Sequence, residues 1–298
     1  MSSAFVQQPA SSAARTAKLG LSLAAFVAGM DVAGLRGRLA REGAAEALRL
    51  FACAGACLFD GPEDGESLLD GVGDARFILH LKPEALGPDH LEGRVAMARE
   101  RLRRSIAFDA MLDGARLLAP DGDALWAAAA SLQDTDTCAG VGIAVEPGGD
   151  ALGLARRFKP KLMQVSAGLL DQRLIRSGAL EEIAAMGVEV HLRATLLHGL
   201  LFLPREGLPA AMAEAGPHLS RVRRQIAEAG ADPLLAALAF ALDRPEASRV
   251  IVEAASVGEV RVLLAAAAAP SPALDWPALA VDHPAALDAE VRLGRQVA

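Results

Sequence analysis

The sequence predicts a (β/α)8 TIM barrel. Eight short apolar runs alternate with helical patterns along the chain, which implies a parallel sheet. Glycines and capping residues fall where such units join. The length, 298 residues, suits eight units closed into one barrel. An open doubly wound sheet is the other arrangement of the same units. Against it, no G-x-G-x-x-G follows the first strand, and the chain has no P-loop pattern, no H-E-x-x-H and no paired C-x-x-C.

Strands are expected near 18–26, 56–60, 76–82, 115–118, 140–145, 161–166, 188–194 and 249–254, each a short run rich in branched aliphatic residues. Helices are expected over 42–55, 91–108, 123–134, 170–187, 218–243 and 256–269, where apolar residues recur at helical spacing. Gly55 and Gly187 sit where helix C-caps belong. Asp232-Pro233 supplies a capping side chain and a first-turn proline. Residues 1–16, polar and small, are expected to be a disordered lead-in. Residues 17–298 are expected to form a single barrel domain with a tail helix from about Pro284.

Composition bounds the function. Net charge is -7, which argues against a nucleic-acid partner. No run of about 18 apolar residues marks a membrane span, and the N-terminus lacks the apolar middle of a secretory signal. A cytoplasmic protein is therefore expected. Cys53, Cys57 and Cys138 are too few and too scattered for a disulfide framework or a zinc site, so no metal is expected. Cys53 and Cys57 read as small core residues. The arginines of the 91–108 helix, Arg94, Arg99, Arg101, Arg103 and Arg104, are a solvated outer face or a surface for a protein partner.

In a barrel, function sits at the C-terminal ends of the strands. There the chain resembles the aldo-keto reductases over roughly residues 17–269. "LGLSLAAF" is similar to that family's opening L-G-L-G-T-A-x-F strand. "EALRLFACAGACLFDGPEDGESLL" resembles its segment running from E-A through F-D-T-A-x-x-Y-G-x-S-E. "FKPKLMQVSAGLLDQRL" resembles F-x-x-D-x-x-Q-V-P-Y-N-L-L-D-Q-R-L, and "GVEVHLRATLLHGLL" resembles G-I-x-V-x-A-R-S-x-F-L-Q-G-L-L. "RVIVEAASVGEVRVLLAA" resembles the eighth strand and the cofactor helix after it.

The resemblance implies carbonyl reduction with NADPH, through a tyrosine acid, a lysine that tunes it, an aspartate that holds the lysine and a histidine that orients the substrate. By position Asp60 matches the aspartate and Lys82 the lysine. No tyrosine exists anywhere in the chain, and Asp64 falls in its slot. The histidine slot, placed after the 115–118 run, falls near Ala119. Among the cofactor positions only Gln164, for the nicotinamide amide, and Ser256, at a helix N-terminus suited to phosphate, are kept. Ala144, Val145, Ala167, Gly168, Ala194, Glu253 and Glu259 replace the residues usual there. Arg261 is a phosphate contact or part of a solvated helix face.

Chemistry argues the same loss independently. An aspartate starts near pKa 3.9, and beside a lysine it stays ionised. It is a poor proton donor, and its charge opposes the developing alkoxide. Lost polar contacts at about 0.5–1.5 kcal/mol each, with carboxylates facing the phosphates, leave NADP binding weak. His80, two residues before Lys82, lies about 6.6 Å deeper and is expected in the core. Glu63, Asp64, His198 and water are the remaining proton donors for an active enzyme. Asp60 and Lys82 are either a residue of the proton-transfer site or a structural ion pair. The expectation is a barrel with degraded redox and NADPH sites, a pseudoenzyme or a protein holding a different small-molecule ligand. The alternative is an NAD(P)H-dependent carbonyl reductase with an atypical proton donor. Trp276, in the proline-punctuated tail, is a pocket wall or packs on the outside of the barrel.

Overall fold

The computed structural model describes residues 11–27, 41–62, 65–69, 72–81, 87–102, 107–134, 138–203, 208, 214–254, 256–283 and 287. Eight parallel strands close a barrel in sequence order: β1 (Leu19–Ser22), β2 (Leu58–Pro62), β3 (Arg76–His80), β4 (Ala107–Asp113), β5 (Gly140–Val145), β6 (Leu162–Ser166), β7 (Glu189–Arg193) and β8 (Ala247–Glu253). β1 pairs with both β2 and β8, so no strand edge is left open. The described helices are α1 (Ser12–Ala17), α2 (Ala24–Val27), α3 (Arg41–Cys53), α4 (Pro88–Arg101), α5 (Gly114–Leu117), α6 (Gly122–Asp134), α7 (Ala151–Phe158), α8 (Arg173–Arg176), α9 (Ala179–Ala185), α10 (Gly216–Glu228), α11 (Pro233–Leu242) and α12 (Val257–Ala268). No single helix among the described residues is long and apolar enough to cross a membrane.

The strand faces alternate. Outward residues such as Phe59, Phe77, Leu112, Ile143 and Val165 pack under the helices as the main core. Inward residues fill the barrel in three layers. Arg76, Asp109, Glu189 and His191 form a charged floor at the N-terminal end. Leu58, Ile78, Met111, Ala144, Leu162 and Ile251 form an apolar waist. Ser22, Asp60, His80, Gln164, Ser166 and Arg193 end the strands as a polar mouth. Two glycines make the waist possible. A Cβ on Gly20 would meet Ile251 Cδ1 at 2.6 Å and one on Gly142 would meet Leu162 O at 2.8 Å.

A second apolar cluster lies outside the barrel, where α10 and α11 meet the tail. Trp276 packs against it, with its ring 5.8 Å from Phe240 of α11. Arg221 of α10 straps the tail down by donating to the carbonyls of Ala278 (2.7 Å) and Ala280 (3.1 Å).

Several expectations are corrected. The fourth strand is Ala107–Asp113 rather than 115–118. Asp113 caps the helical turn α5, which holds the "ARLL" run. The helix expected over 91–108 therefore ends at Arg101. Gly178 (φ 76°) splits the expected 170–187 helix into α8 and α9, and Gly230 (φ 67°) separates α10 from α11. Part of the expected lead-in is ordered: α1 is capped by Ser11 and buries Arg15 and Thr16. Cys53 and Cys57 are exposed, because α3 ends in a turn at the surface before β2. The tail helix expected from Pro284 falls outside the described residues.

Candidate functional site at the barrel mouth

Asp60 is the centre of the mouth. β2 buries it, at 7% exposure, on the inward face above Leu58. Its Oδ1 accepts from Gln164 Nε2 at 2.7 Å and meets His80 Nε2 at the same distance. Gln164 is on β6, four strands around from β2, so this bond spans the barrel from opposite walls. Burial alone raises the pKa of Asp60. The charge and hydrogen bond of His80, the amide of Gln164 and the charge of Arg193 outweigh it and hold the carboxyl below its usual range.

His80 is not a core residue. The ladder pairs Asp60 with Ile78, so the next inward residue of β3, His80, stands above Asp60 rather than beneath it. Depth counted from Lys82 misses this, because a closed barrel staggers neighbouring strands. The His80 side chain keeps a quarter of its surface exposed (26%). With Nε2 on the carboxylate, Nδ1 has no partner among the described residues.

Two further residues complete the mouth. Ser166 is the inward residue after Gln164 on β6, and its buried hydroxyl has no hydrogen-bond partner among the described residues. Arg193 pairs in register with Ser166 and lies 3.4 Å from Glu146 Oε1. Sequence reasoning missed both as site residues; the period of two along β6 from Gln164 is the signal that could have found Ser166, as the same period from Lys82 places His80 on the inward face.

The other expected site residues are distributed as follows. Lys82, Asp64 and Glu63 lie outside the described residues, as does the side chain of His198. The expected Asp60–Lys82 pair is therefore not described, and the partners described for Asp60 are His80 and Gln164. The Gln164 donor expected for a nicotinamide amide is engaged by Asp60. Ser256 is the N-cap of α12, and its hydroxyl accepts from Glu259 N at 3.1 Å. Glu259 sits in the first turn of that helix. Arg261 reaches Glu46 on the outer surface at 3.3 Å. Ala144 belongs to the waist, and Gly168 is held small because a Cβ would meet the Thr195 backbone at 3.0 Å. With β4 placed at 107–113, its exit carries Asp113 and Gly114, not Ala119.

A closed barrel of eight parallel strands with helices between them defines the class as a (β/α)8 TIM barrel, a fold shared with aldo-keto reductases of solved structure. It is similar to the holo form of aldo-keto reductase AKR11C1 from Bacillus halodurans, with TM-score 0.65 and 19% identity over 86% of this chain and 88% of that one. The apo form of the same reductase aligns with TM-score 0.63 and 19% identity over 88% and 90%. No protein-family model and no curated protein matches the sequence.

Proposed function

We propose that this chain is an aldo-keto-reductase-like barrel that no longer carries out NADPH-linked carbonyl reduction and instead holds a different small polar ligand at its mouth. The observation that carries the reading is the cross-barrel cluster of Asp60, His80 and Gln164. It stands where the resemblance puts the tyrosine-activating carboxylate and the amide that grips nicotinamide. With no tyrosine in the chain, the usual acid is missing. At the expected phosphate end, the Ser256 oxygen accepts from the Glu259 backbone N–H, and the Glu259 carboxylate adds negative charge in the first turn of that helix. These residues do not fit a dinucleotide. The buried Ser166 hydroxyl supports a polar ligand, because an unmet buried hydroxyl costs about 1–3 kcal/mol that a bound group would recover.

The test is a fluorescence titration of the purified protein with NADPH. The expected result is no saturable binding tighter than about 100 μM. Micromolar, stoichiometric binding would contradict the reading.

A second reading is favoured by one contact. His80, held by Asp60 at 2.7 Å, has the form of a carboxylate-oriented acid–base group. It is a fitter proton donor than Asp64 for a carbonyl reductase of the NAD(P)H-dependent kind. Turnover of an aldehyde panel with NADPH that is lost in a folded His80→Asn variant would favour this reading over the first.

A further inference from the structure

A second polar region lies at the other end of the barrel, on the N-terminal face. It carries an open pocket of about 530 Å³ lined by Lys18, Arg76 and Arg249, with Asp74 as the carboxylate among its lining residues. Ala14 and Ala17 of α1 form an apolar wall. This size is that of ordinary small-molecule pockets.

The three cations are unequally matched. Arg76 gives Nε to Asp109 (2.6 Å) and Nη1 to Glu189 (2.7 and 2.9 Å). Its Nη2 makes no hydrogen bond among the described residues. Lys18 Nζ donates to the carbonyls of Leu242 and Arg244, both at 3.0 Å, so one of its three N–H groups remains. Asp243 and Glu246 attract its charge from behind, while Arg15 and Arg249 repel it. Arg249 is the least matched. Among the described residues its one hydrogen bond goes to the carbonyl of Ser248 (2.9 Å), and it makes no ion pair there. It is half-buried and lines the pocket together with Lys18 and Arg76.

We propose that this cavity binds a small oxyanion, a carboxylate or phosphate group, taken by Arg249 with Lys18 and Arg76 beside it. A guanidinium grips such a group through two parallel N–H bonds, and the neighbouring ammonium adds a compact charge. Burial lowers the pKa of Lys18; the charges of Asp243 and Glu246 oppose that, and the like charges of Arg15 and Arg249 add to it. An anion between the cations relieves their repulsion. This site is separate from the mouth, because the apolar waist of Leu58, Ile78 and Met111 lies between them.

Inorganic phosphate is the first probe, read by calorimetry and by thermal melting, with chloride at matched ionic strength as the control. Acetate and citrate arms then separate carboxylate from phosphate preference. The expected result is saturable phosphate binding that raises the melting temperature where chloride does not. Arg249→Met should weaken binding about tenfold or more and leave the anion-free melting temperature unchanged or higher, since it removes an unmatched charge. Arg249→Lys should bind between the two. Asp60→Asn, at the mouth, should bind phosphate like the unaltered chain. Three results would overturn the proposal: no saturable binding of any of the anions, equal binding by Arg249→Met, or loss of binding in Asp60→Asn with retention in Arg249→Met. A lower anion-free melting temperature in Arg249→Met with unchanged phosphate affinity would assign Arg249 a structural role instead.

Discussion

Asp60 accepts two hydrogen bonds on one buried oxygen, so its removal leaves two donors facing no acceptor. Asp60→Ala should cost about 2–4 kcal/mol of stability by urea unfolding. Asp60→Asn keeps an acceptor oxygen for Gln164 or His80 and should cost less. Equal losses would show that the cluster contributes little beyond packing. Acid sensitivity follows from the same kind of carboxylate. Burial opposes the charge of Glu189, but hydrogen bonds from His191 and Arg76 and their charges hold its carboxyl down to about 2. Asp60 is held low as well. Carboxylates depressed in the folded state contribute stability above the unfolded carboxyl range, near 4.5 for a glutamate, and lose it as pH falls through the folded value. Stability should therefore fall between about pH 4.5 and pH 2, and Glu189→Gln should flatten that limb of a pH series of unfolding curves.

At the scale of elements, local signals were trustworthy where a single side chain decides a boundary. Asp232 Oδ1 accepts from Leu234 N (2.8 Å) and Leu235 N (3.1 Å) at the start of α11, as its sequence context indicates. Asp232→Ala should cost about 1 kcal/mol in thermal or urea unfolding, and no change would show that the packing of α11 alone fixes its start. β4 was misread for the opposite reason. Its run "AFDAMLD" carries two acids, while "ARLL" just after it is apolar. Asp109 is fully buried there because Arg76, from β3, neutralises it. No local pattern announces a partner 33 residues away. The mouth was half legible on the same principle. Asp60 and Gln164 stand out as polar residues ending apolar strands. That they bond each other, with His80 above, depends on the stagger of a closed barrel, which periodicity along one strand does not contain.

At the scale of the whole molecule, the barrel separates two polar ends by an apolar waist. Closure in sequence order was readable from the alternation of strands and helices, even at 19% identity to the reductase of similar fold. Ends separated by such a waist are expected to contribute additively. Asp60→Asn and Arg249→Met combined should shift stability by the sum of the single changes within about 0.5 kcal/mol. A larger coupling would mean that the floor and the mouth communicate through the interior. The central proposal concerns the mouth: Asp60 meets His80 and Gln164 across the barrel, the chain has no tyrosine, and we propose that it does not carry out NADPH-linked carbonyl reduction. The most direct measurement is NADPH oxidation by the pure protein with a panel of aldehydes and ketones. The account predicts consumption no faster than the protein-free control. Sustained oxidation, matched mole for mole by alcohol formed and abolished by Lys82→Met, would contradict it.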